Sequence, residues 1–440
     1  MKIHLAFLCP YNNSWIGWWD RKYGIYYRNL NQELFEGYMI YITQDSGVIK
    51  TSWNEIILTE DKLDSFLREK KIEFVYFGWA KISQETEDTI LKYTTGLVNV
   101  NFTPIYTTDK RKLNLIISMT DYWKLRWIHG ELSNSYVVYN PVDVELWREE
   151  RKKVTGKYRK LFQWKKYIIG RIARTEPSKW HWLILATLQK LDREKNYQYG
   201  FLFAGMPWLY RKYIHFFFSR EMQTCIVMIP EQRKYEDIAG FYASIDIFWQ
   251  TSWIGESFGN VIAEAACFSV PTITDYKGFY RNGIINPELY DAQIELVNHA
   301  ETWIYATSPD AIIHFLNTLT HERRDTLGKN AETKVEQEYH IKYTSLTLAK
   351  ILYEYGRKNL GTEYDEAMER LSQLPSNEVI DSYEKEYQKR VALWFAFDNI
   401  QSNKIPPYIT QEKLWRIVEY GYLFIRKILK NYFNKNIEFF

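Results

Sequence analysis

Cysteine is scarce in this sequence, and its placement predicts no structural role. The 440 residues contain three cysteines, Cys9, Cys225 and Cys267, which are isolated from one another and odd in number. Neither a disulfide framework nor a Cys-x-x-Cys metal site is indicated by this pattern. We expect a protein of the reducing cytoplasm that uses no metal ion.

The sequence also lacks an excess of charge and long apolar runs. Its 57 basic and 54 acidic residues give a net charge of +3, whereas a nucleic-acid partner usually requires a marked basic excess on one face. No run reaches the roughly 18 apolar residues of a membrane-spanning helix. The apolar start, Ile3 to Cys9, is short and is followed by Pro10, which favours a first β-strand over a signal peptide. A cytoplasmic protein without a nucleic-acid partner is the expectation.

Short apolar runs alternate with helical patterns along most of the chain. Runs such as IHLAFLCP, YMIYIT and FVYFG have the composition of strands, and segments such as DKLDSFLREKK have helical spacing. This order predicts a parallel sheet covered by helices on both faces. A basic stretch without periodicity, Arg148 to Lys166, is typical of a linker or an exposed excursion, and the alternation restarts after it with YIIGRIA and YGFLFAG.

Two such units in tandem predict an α/β fold of two doubly wound, Rossmann-like domains that face a cleft. We predict an N-terminal domain over residues 1–150 and a C-terminal domain over 151–335. The helical patterns that follow predict a crossing helix over 336–356 and a helical extension over 357–440. In sheets of this kind, ligands bind beyond the carboxyl ends of the strands.

The segment Gln250 to Asp275 places two acids around a glycine turn. Its apolar ends predict strands, and the piece between them predicts a loop and then a helix over Phe258 to Phe268, with Ser257 as N-cap. On this interpretation Glu256 lies in the loop and Glu264 lies inside the helix. Unpaired amides at such a helix start suit a polar, anionic ligand, and here they belong to Phe258, Gly259 and Asn260.

This segment resembles the E-x7-E signature of the retaining family 4 glycosyltransferases, which have the GT-B fold. The residues that match the signature in register are Glu256, Phe258, Gly259, Glu264, Ala265 and Pro271. Ser257 and Ser269 depart from it, at positions that small residues usually occupy.

A second stretch, Ile168 to Ile184, resembles the family's V-G-R-x-x-x-x-K-G segment. The matching residues are Gly170, Arg171 and Lys179, while Trp180 replaces the last glycine. Arg174 is an alternative to Arg171. The run FLFAGMP, which contains Gly205, resembles the strand and glycine turn that follow in the family.

The resemblance implies a retaining glycosyltransferase that moves a hexose from a donor such as a UDP- or GDP-hexose to an acceptor, without a metal ion or cofactor. The donor would bind to the C-terminal domain and the acceptor to the N-terminal one. Arg171 and Lys179 would hold the diphosphate, on which negative charge accumulates as it leaves. Glu264 would bind the ribose, and Glu256 would lie near the donor sugar. The other implied donor-binding residues are Ser257, Phe258, Gly259, Asn260, Gly170 and Gly205.

The acceptor side departs from the family pattern. A histidine usually follows the fourth N-terminal strand, where LVNVNFTP offers Asn101 instead. The glycine pair expected after the first strand is absent, and the enlarged loop there contains Gly17. Arg281 stands near the position of a family glutamate. These departures leave open a catalytically inactive sugar- or nucleotide-binding scaffold of the same fold, and a GT-B phosphorylase is a further alternative.

The last helical pattern, Leu414 to Phe433, carries an apolar stripe beside basic residues. One interpretation packs this helix against the domains, which a stripe of this width favours. The other lays it on an anionic membrane, as a peripheral contact that would fit a lipid-linked acceptor. The expected acceptor is therefore a glycan, a lipid-linked sugar or another hydroxyl compound.

Overall fold

The protein divides into two compact units. The computed structural model describes residues 2–10, 27, 29, 32, 35–43, 49–52, 55–78, 88, 90, 96–100, 113–117, 135–138, 140–176, 179–252, 259–274, 280–281, 284–285, 296, 303–305, 308–346, 348–349 and 352. Of these, the first unit contains the residues up to Val144 and those from Glu336 onward, and the second unit contains Glu145–Val335.

The first unit is built on an eight-stranded sheet of order β3-β4-β2-β1-β5-β6-β7-β8. Neighbouring strands are parallel except for the antiparallel pair β3 and β4. The strands are β1 Ile3–Pro10, β2 Phe35–Thr43, β3 Ile49–Ser52, β4 Glu55–Thr59, β5 Phe74–Gly78, β6 Gly96–Val100, β7 Leu113–Ile117 and β8 Ser135–Val138. Helix α1, Glu60–Glu69, buries Leu63, Phe66 and Leu67 against this sheet.

The second unit is built on a six-stranded parallel sheet of order β11-β10-β9-β12-β13-β16. The strands are β9 Tyr167–Ile172, β10 Tyr199–Ala204, β11 Ile226–Ile229, β12 Ile247–Gln250, β13 Thr272–Thr274 and β16 Trp303–Tyr305. Strands β9, β10 and β12 are buried along their whole length, as expected for parallel strands covered on both faces. A separate antiparallel pair is formed by β14 Tyr280–Arg281 and β15 Ile284–Ile285.

The strand order of the second unit reverses between β9 and β12. From β9 the chain proceeds to β10 and β11 on one side, and it then returns to place β12 and β13 on the other. The crevice at the carboxyl ends of two strands that diverge in this way is where ligands of doubly wound sheets bind.

Helices flank the second sheet, and its core is rich in aromatic and branched side chains. The helices are α2 Val144–Lys153, α3 Leu183–Arg193, α4 Trp208–Phe217, α5 Arg220–Thr224, α6 Tyr235–Tyr242, α7 Asn260–Cys267, α8 Pro309–Thr318 and α9 His321–Lys334. Helix α3 illustrates the pattern, because its Leu185, Leu188 and Leu191 are fully buried in the core while Glu194 after it is exposed. No helix within the described residues combines the length and the apolar character needed to cross a membrane.

The predicted alternation of strands and helices in two parallel α/β units is confirmed, and two local predictions are wrong. Part of the predicted linker, Arg148 to Lys166, is helical, because α2 continues to Lys153 with ion pairs between residues three apart in place of apolar spacing. Helix α7 begins at Asn260 and not near Ser257, because Gly259 is its N-cap. The predicted extension over 357–440 lies outside the described residues.

Candidate active site

A buried polar cluster lies at the carboxyl ends of the central strands of the second unit. Arg171 is the fifth residue of β9, Gln250 ends β12, and Thr274 ends β13. Thr251 and Ser252 follow β12 directly, and all five side chains are buried. Polar groups are costly to bury without partners, so we expect these side chains to be placed by specific hydrogen bonds.

Arg171 is the centre of this cluster, and it is fully buried. Its Nη1 donates hydrogen bonds to the Trp249 carbonyl at 3.0 Å and to Gln250 Oε1 at 2.7 Å. Its Nη2 donates to the Lys179 carbonyl. The guanidinium therefore ties the end of β12 to the turn that carries Lys179.

The predicted diphosphate lysine, Lys179, is half-buried next to a fully buried Trp180. The Trp180 ring centroid is 5.1 Å from the Arg171 guanidinium carbon, a distance at which the ring face attracts the cation. Trp180 Nε1 donates to the Arg174 carbonyl at 3.1 Å, which closes the turn. The tryptophan that replaces the family's glycine thus forms a cover over Arg171.

Arg174, the alternative to Arg171, lies at the surface. Its side chain is half exposed, and Nη1 is 3.1 Å from Glu176 Oε1. An exposed ion pair of this kind contributes little free energy. Arg174 is therefore the more accessible of the two arginines, and Arg171 is the more firmly held.

Two predicted glycines of the site have separate structural explanations. Gly205 has a positive φ of 77°, and a Cβ there would come within 2.0 Å of the Ala173 carbonyl oxygen, so the turn after β10 requires glycine. Gly170 lies inside β9, where a Cβ would come within 2.5 Å of the Ile245 side chain. Close packing accounts for Gly170, and a role for it in donor binding stays a prediction.

The start of helix α7 is set by a glycine in the left-handed conformation. Gly259 has φ 81° and ψ 54°, and Asn260 is the first helical residue. The first amides of the helix carry partial positive charge at this end. The predicted N-cap, Ser257, is replaced in that role by Gly259, because only glycine adopts this backbone geometry without strain.

Glu264 lies one turn into α7, half-buried, and contacts a buried phenol. The hydroxyl of Tyr242, at the end of α6, is 3.1 Å from Glu264 Oε2 and 2.9 Å from the Val261 carbonyl oxygen. Burial raises the pKa of Tyr242 well above its usual value, and the Glu264 charge raises it further. Tyr242 therefore remains a neutral hydrogen-bond donor to the carboxylate.

Comparison with known proteins identifies the class of fold. Residues 156–334 match the family described as glycosyl transferases group 1. A glycosyltransferase from Rickettsia africae is similar in structure, with a TM-score of 0.60 at 13% identity over 82% of this chain and 100% of that one. HepE from Anabaena, solved with UDP and glucose, gives 0.56 at 15% identity over 80% and 100% of the two chains.

A sucrose-phosphate synthase from Thermosynechococcus elongatus is also similar, with a TM-score of 0.57 at 12% identity over 80% of this chain and 99% of that one. The fold is GT-B. No curated protein matches the chain in sequence. The similarity to these structures therefore lies in the fold, and the segment that matches the family model lies within the second unit.

Several residues of the predicted GT-B site lie outside the described residues. They are Glu256, Ser257, Phe258, Gly17 and Asn101. Within the part of the chain that the structure describes, no group of three or more histidine, cysteine, aspartate or glutamate side chains could hold a metal ion. The predicted site residues that the structure describes are Gly170, Arg171, Lys179, Gly205, Gly259, Asn260 and Glu264, and their role in donor binding stays a prediction.

Sequence reasoning missed two polar residues that contact the predicted site residues, Gln250 beside Arg171 and Tyr242 beside Glu264. Gln250 had a visible signal, because it is a polar residue that ends a wholly apolar strand. Tyr242 had none, because its helical pattern is that of a core residue and its contact with Glu264 joins two separate helices.

Proposed function

We propose that the protein is a retaining glycosyltransferase that moves a hexose from a nucleoside-diphosphate sugar to a hydroxyl acceptor. The observation that carries this proposal is the family match over residues 156–334, the segment that contains both Lys179 and Glu264. The binding of UDP and UDP-glucose by the similar HepE supports a UDP-sugar as the donor.

The diphosphate is held at the carboxyl edge of the second unit's sheet. Lys179 contacts a phosphate oxygen as a mobile charge, and the amides at the start of α7 add partial positive charge. Arg171 contributes its own charge from behind and holds the Lys179 backbone through the hydrogen bond to that carbonyl. These cations stabilise the negative charge that gathers on the leaving group.

The two glutamates, Glu264 and Glu256, contact different parts of the donor. Glu264 accepts hydrogen bonds from the ribose hydroxyls, and Glu256 lies at the donor sugar, where positive charge develops on the anomeric carbon. This division comes from the family resemblance. Ser257, Phe258, Gly259 and Asn260 belong to the turn that approaches the donor, and Gly170 and Gly205 shape the strand ends beside it.

Transfer proceeds with retention on the front face of the sugar. The bond between the anomeric carbon and the diphosphate oxygen breaks as the bond to the acceptor oxygen forms, and the leaving phosphate takes the acceptor proton. The step needs neither a metal ion nor a cofactor. The acceptor, a glycan, a lipid-linked sugar or another hydroxyl compound, binds in the cytoplasm to the N-terminal domain, with Gly17 and Asn101 on its side.

A donor panel tests this proposal. The protein is incubated with UDP-, GDP- and ADP-hexoses, and released nucleoside diphosphate is measured, first without acceptor and then with simple glycosides. Release that depends on one of these donors is the expected result. Binding of nucleotide without any release would favour the catalytically inactive scaffold, and a requirement for free phosphate would favour the phosphorylase. Failure to bind any of the three nucleotides would contradict the proposal.

A further inference from the structure

Tyr242, the last residue of α6, is tightly packed in the core. Its ring is fully buried, and it packs edge-on against two aromatic rings and at a tilted angle against a third. The centroid distances are 6.4 Å to Trp147, 5.7 Å to Phe248 and 5.6 Å, at a tilted angle, to Phe268. Close-packed interiors allow a ring of this size little freedom, so the position of the hydroxyl is fixed by the core.

The hydroxyl has one proton and two acceptors within reach. The Val261 carbonyl lies inside α7, where the amide four residues later is its regular donor. Hydrogen bonds to a charged oxygen, such as those of the Glu264 carboxylate, are roughly twice as strong as neutral ones. The proton of Tyr242 is therefore directed toward Glu264.

We propose that Tyr242 is a positioning residue, which holds the Glu264 carboxylate in the orientation that receives the ribose hydroxyls of the nucleotide. This inference rests on the proposed function. A glutamate side chain in solvent samples many rotamers, and the entropy lost when a ligand orders it lowers the affinity for that ligand. A buried hydroxyl bonded to Oε2 orders the carboxylate before the ligand arrives.

The decisive variant is Tyr242→Phe, which removes the hydroxyl and leaves the packed ring in place. We expect affinity for the nucleoside diphosphate that the wild type binds, UDP, GDP or ADP, to fall about three- to tenfold, the range of one hydrogen bond. The KM for the donor should rise by a similar factor with kcat nearly unchanged, because the ribose is held equally in the ground and transition states.

The matched control is Tyr199→Phe. Tyr199 is also fully buried in the second unit, its hydroxyl donates to Asn317 Oδ1 at 2.7 Å, and burial raises its pKa to about 12. This variant loses a comparable buried hydrogen bond far from Glu264 in the sequence, so its melting temperature should fall while nucleotide affinity stays at the wild-type value. Equal losses of affinity in the two variants would overturn the positioning role.

A double-mutant cycle separates positioning from general loosening. In a Glu264→Gln background the Tyr242→Phe change should have little further effect on affinity, because the charged acceptor is already gone. Independent, additive losses would overturn the proposal.

If Tyr242→Phe does not fold, Glu264→Asp is the alternative test. The shorter aspartate carboxylate loses the hydrogen bond to Tyr242, so wild-type affinity in that variant would overturn the proposal. A wild type that binds no nucleotide overturns the proposed function as well, whereas wild-type binding with unchanged Tyr242→Phe overturns this inference alone.

Discussion

The two edges of the second unit's sheet both bury a charged side chain, but they treat it differently. At the amino edge, Asp246 precedes β12 and accepts hydrogen bonds from Arg159 at 2.7 Å, from Arg324 at 3.0 Å and from the Ile168 amide at 2.9 Å. At the carboxyl edge, Arg171 donates to two carbonyl oxygens and to the Gln250 side chain. Among the described contacts, an anion is paired with two cations at the amino edge, and a cation donates to carbonyl and amide oxygens at the carboxyl edge.

This difference separates stability from binding. The Asp246 cluster pairs its charges with one another, and removing Asp246 leaves the buried Ile168 amide without this acceptor, which is costly. The carboxyl edge instead carries Lys179, which we propose to bind the donor together with the start of α7 and Glu264. We expect substitutions at the amino edge to lower the free energy of unfolding, and those of the proposed ligand contacts to lower affinity.

The largest effect is expected for Asp246→Ala. It leaves the buried Ile168 amide without an acceptor and removes charge-assisted bonds to the half-buried Arg324 and the exposed Arg159. The free energy of unfolding should fall by about 3–5 kcal/mol, the sum of these losses. Denaturant titration measures this. The control is Asp310→Ala, which removes an exposed carboxylate that pairs with Lys190 and should change stability little. Similar denaturation midpoints for the two variants would contradict the expected difference between a buried and an exposed acid.

Gly205→Ala tests the backbone of the carboxyl edge. The new Cβ would meet the Ala173 carbonyl, and the left-handed φ is strained for alanine, so the free energy of unfolding should fall by about 2–3 kcal/mol. Gly240→Ala is the control. It lies in α6, and its nearest neighbour would be the flexible Lys157 side chain at 3.4 Å, so alanine should be neutral or slightly stabilising. An equal decrease in the free energy of unfolding of both variants would contradict the steric explanation.

Lys179→Ala tests whether the carboxyl edge contributes to nucleotide affinity. Loss of a charge-assisted contact should weaken affinity for UDP or GDP by about 1.5–3 kcal/mol, as measured by calorimetry. The thermal midpoint should stay near that of the wild type, since this side chain is half-buried at the edge of the unit. Lys190→Ala, which removes a half-buried lysine of α3, serves as control. Unchanged affinity of Lys179→Ala would remove this residue from the proposed site.

The smallest effect is expected at Ser269, back at the amino edge. Ser269 has a positive φ of 56°, and its hydroxyl donates to Glu332 Oε2 at 2.6 Å and accepts from Arg151 at 3.3 Å. Ser269→Ala loses these bonds and keeps the backbone strain, so it should lower the free energy of unfolding by about 1–2 kcal/mol. Ser269→Gly loses the bonds but relieves the strain, and should be the milder change. The reverse order in denaturant titrations would show that strain is not important there.

The sequence predicts the elements of the second unit well because their patterns are local. The apolar runs before Arg171 and Gly205 become β9 and β10, and the helix after Gly259 ends at Cys267, near its predicted end. The helical spacing of α7 likewise places Glu264 inside a helix. In each case the signal lies within a few consecutive residues, where periodicity is reliable.

Tertiary contacts explain what the sequence could not predict. A basic residue near a strand end is usually exposed, whereas Arg171 is covered by Trp180 at a position where the family has glycine. The bond between Tyr242 and Glu264 joins α6 to α7, and no pattern within either helix encodes it. Left-handed backbone at Gly259 competes with a serine N-cap two residues earlier, and the sequence contains good residues for both.

The reversal of strand order has a consequence for the order of folding. Strands β9, β10 and β11 are consecutive in the chain and pair as direct neighbours, whereas β12 must return past them to pair with β9. Pairing between distant segments is slow because loop closure costs entropy before contacts form. A nascent chain that has reached β11 therefore contains Lys179 without Glu264. Pulse-labelled hydrogen exchange during refolding should protect the β9 and β10 amides before those of β12 and α7. Under the proposed function, nucleotide should stabilise only the state in which β12 and α7 have joined the sheet.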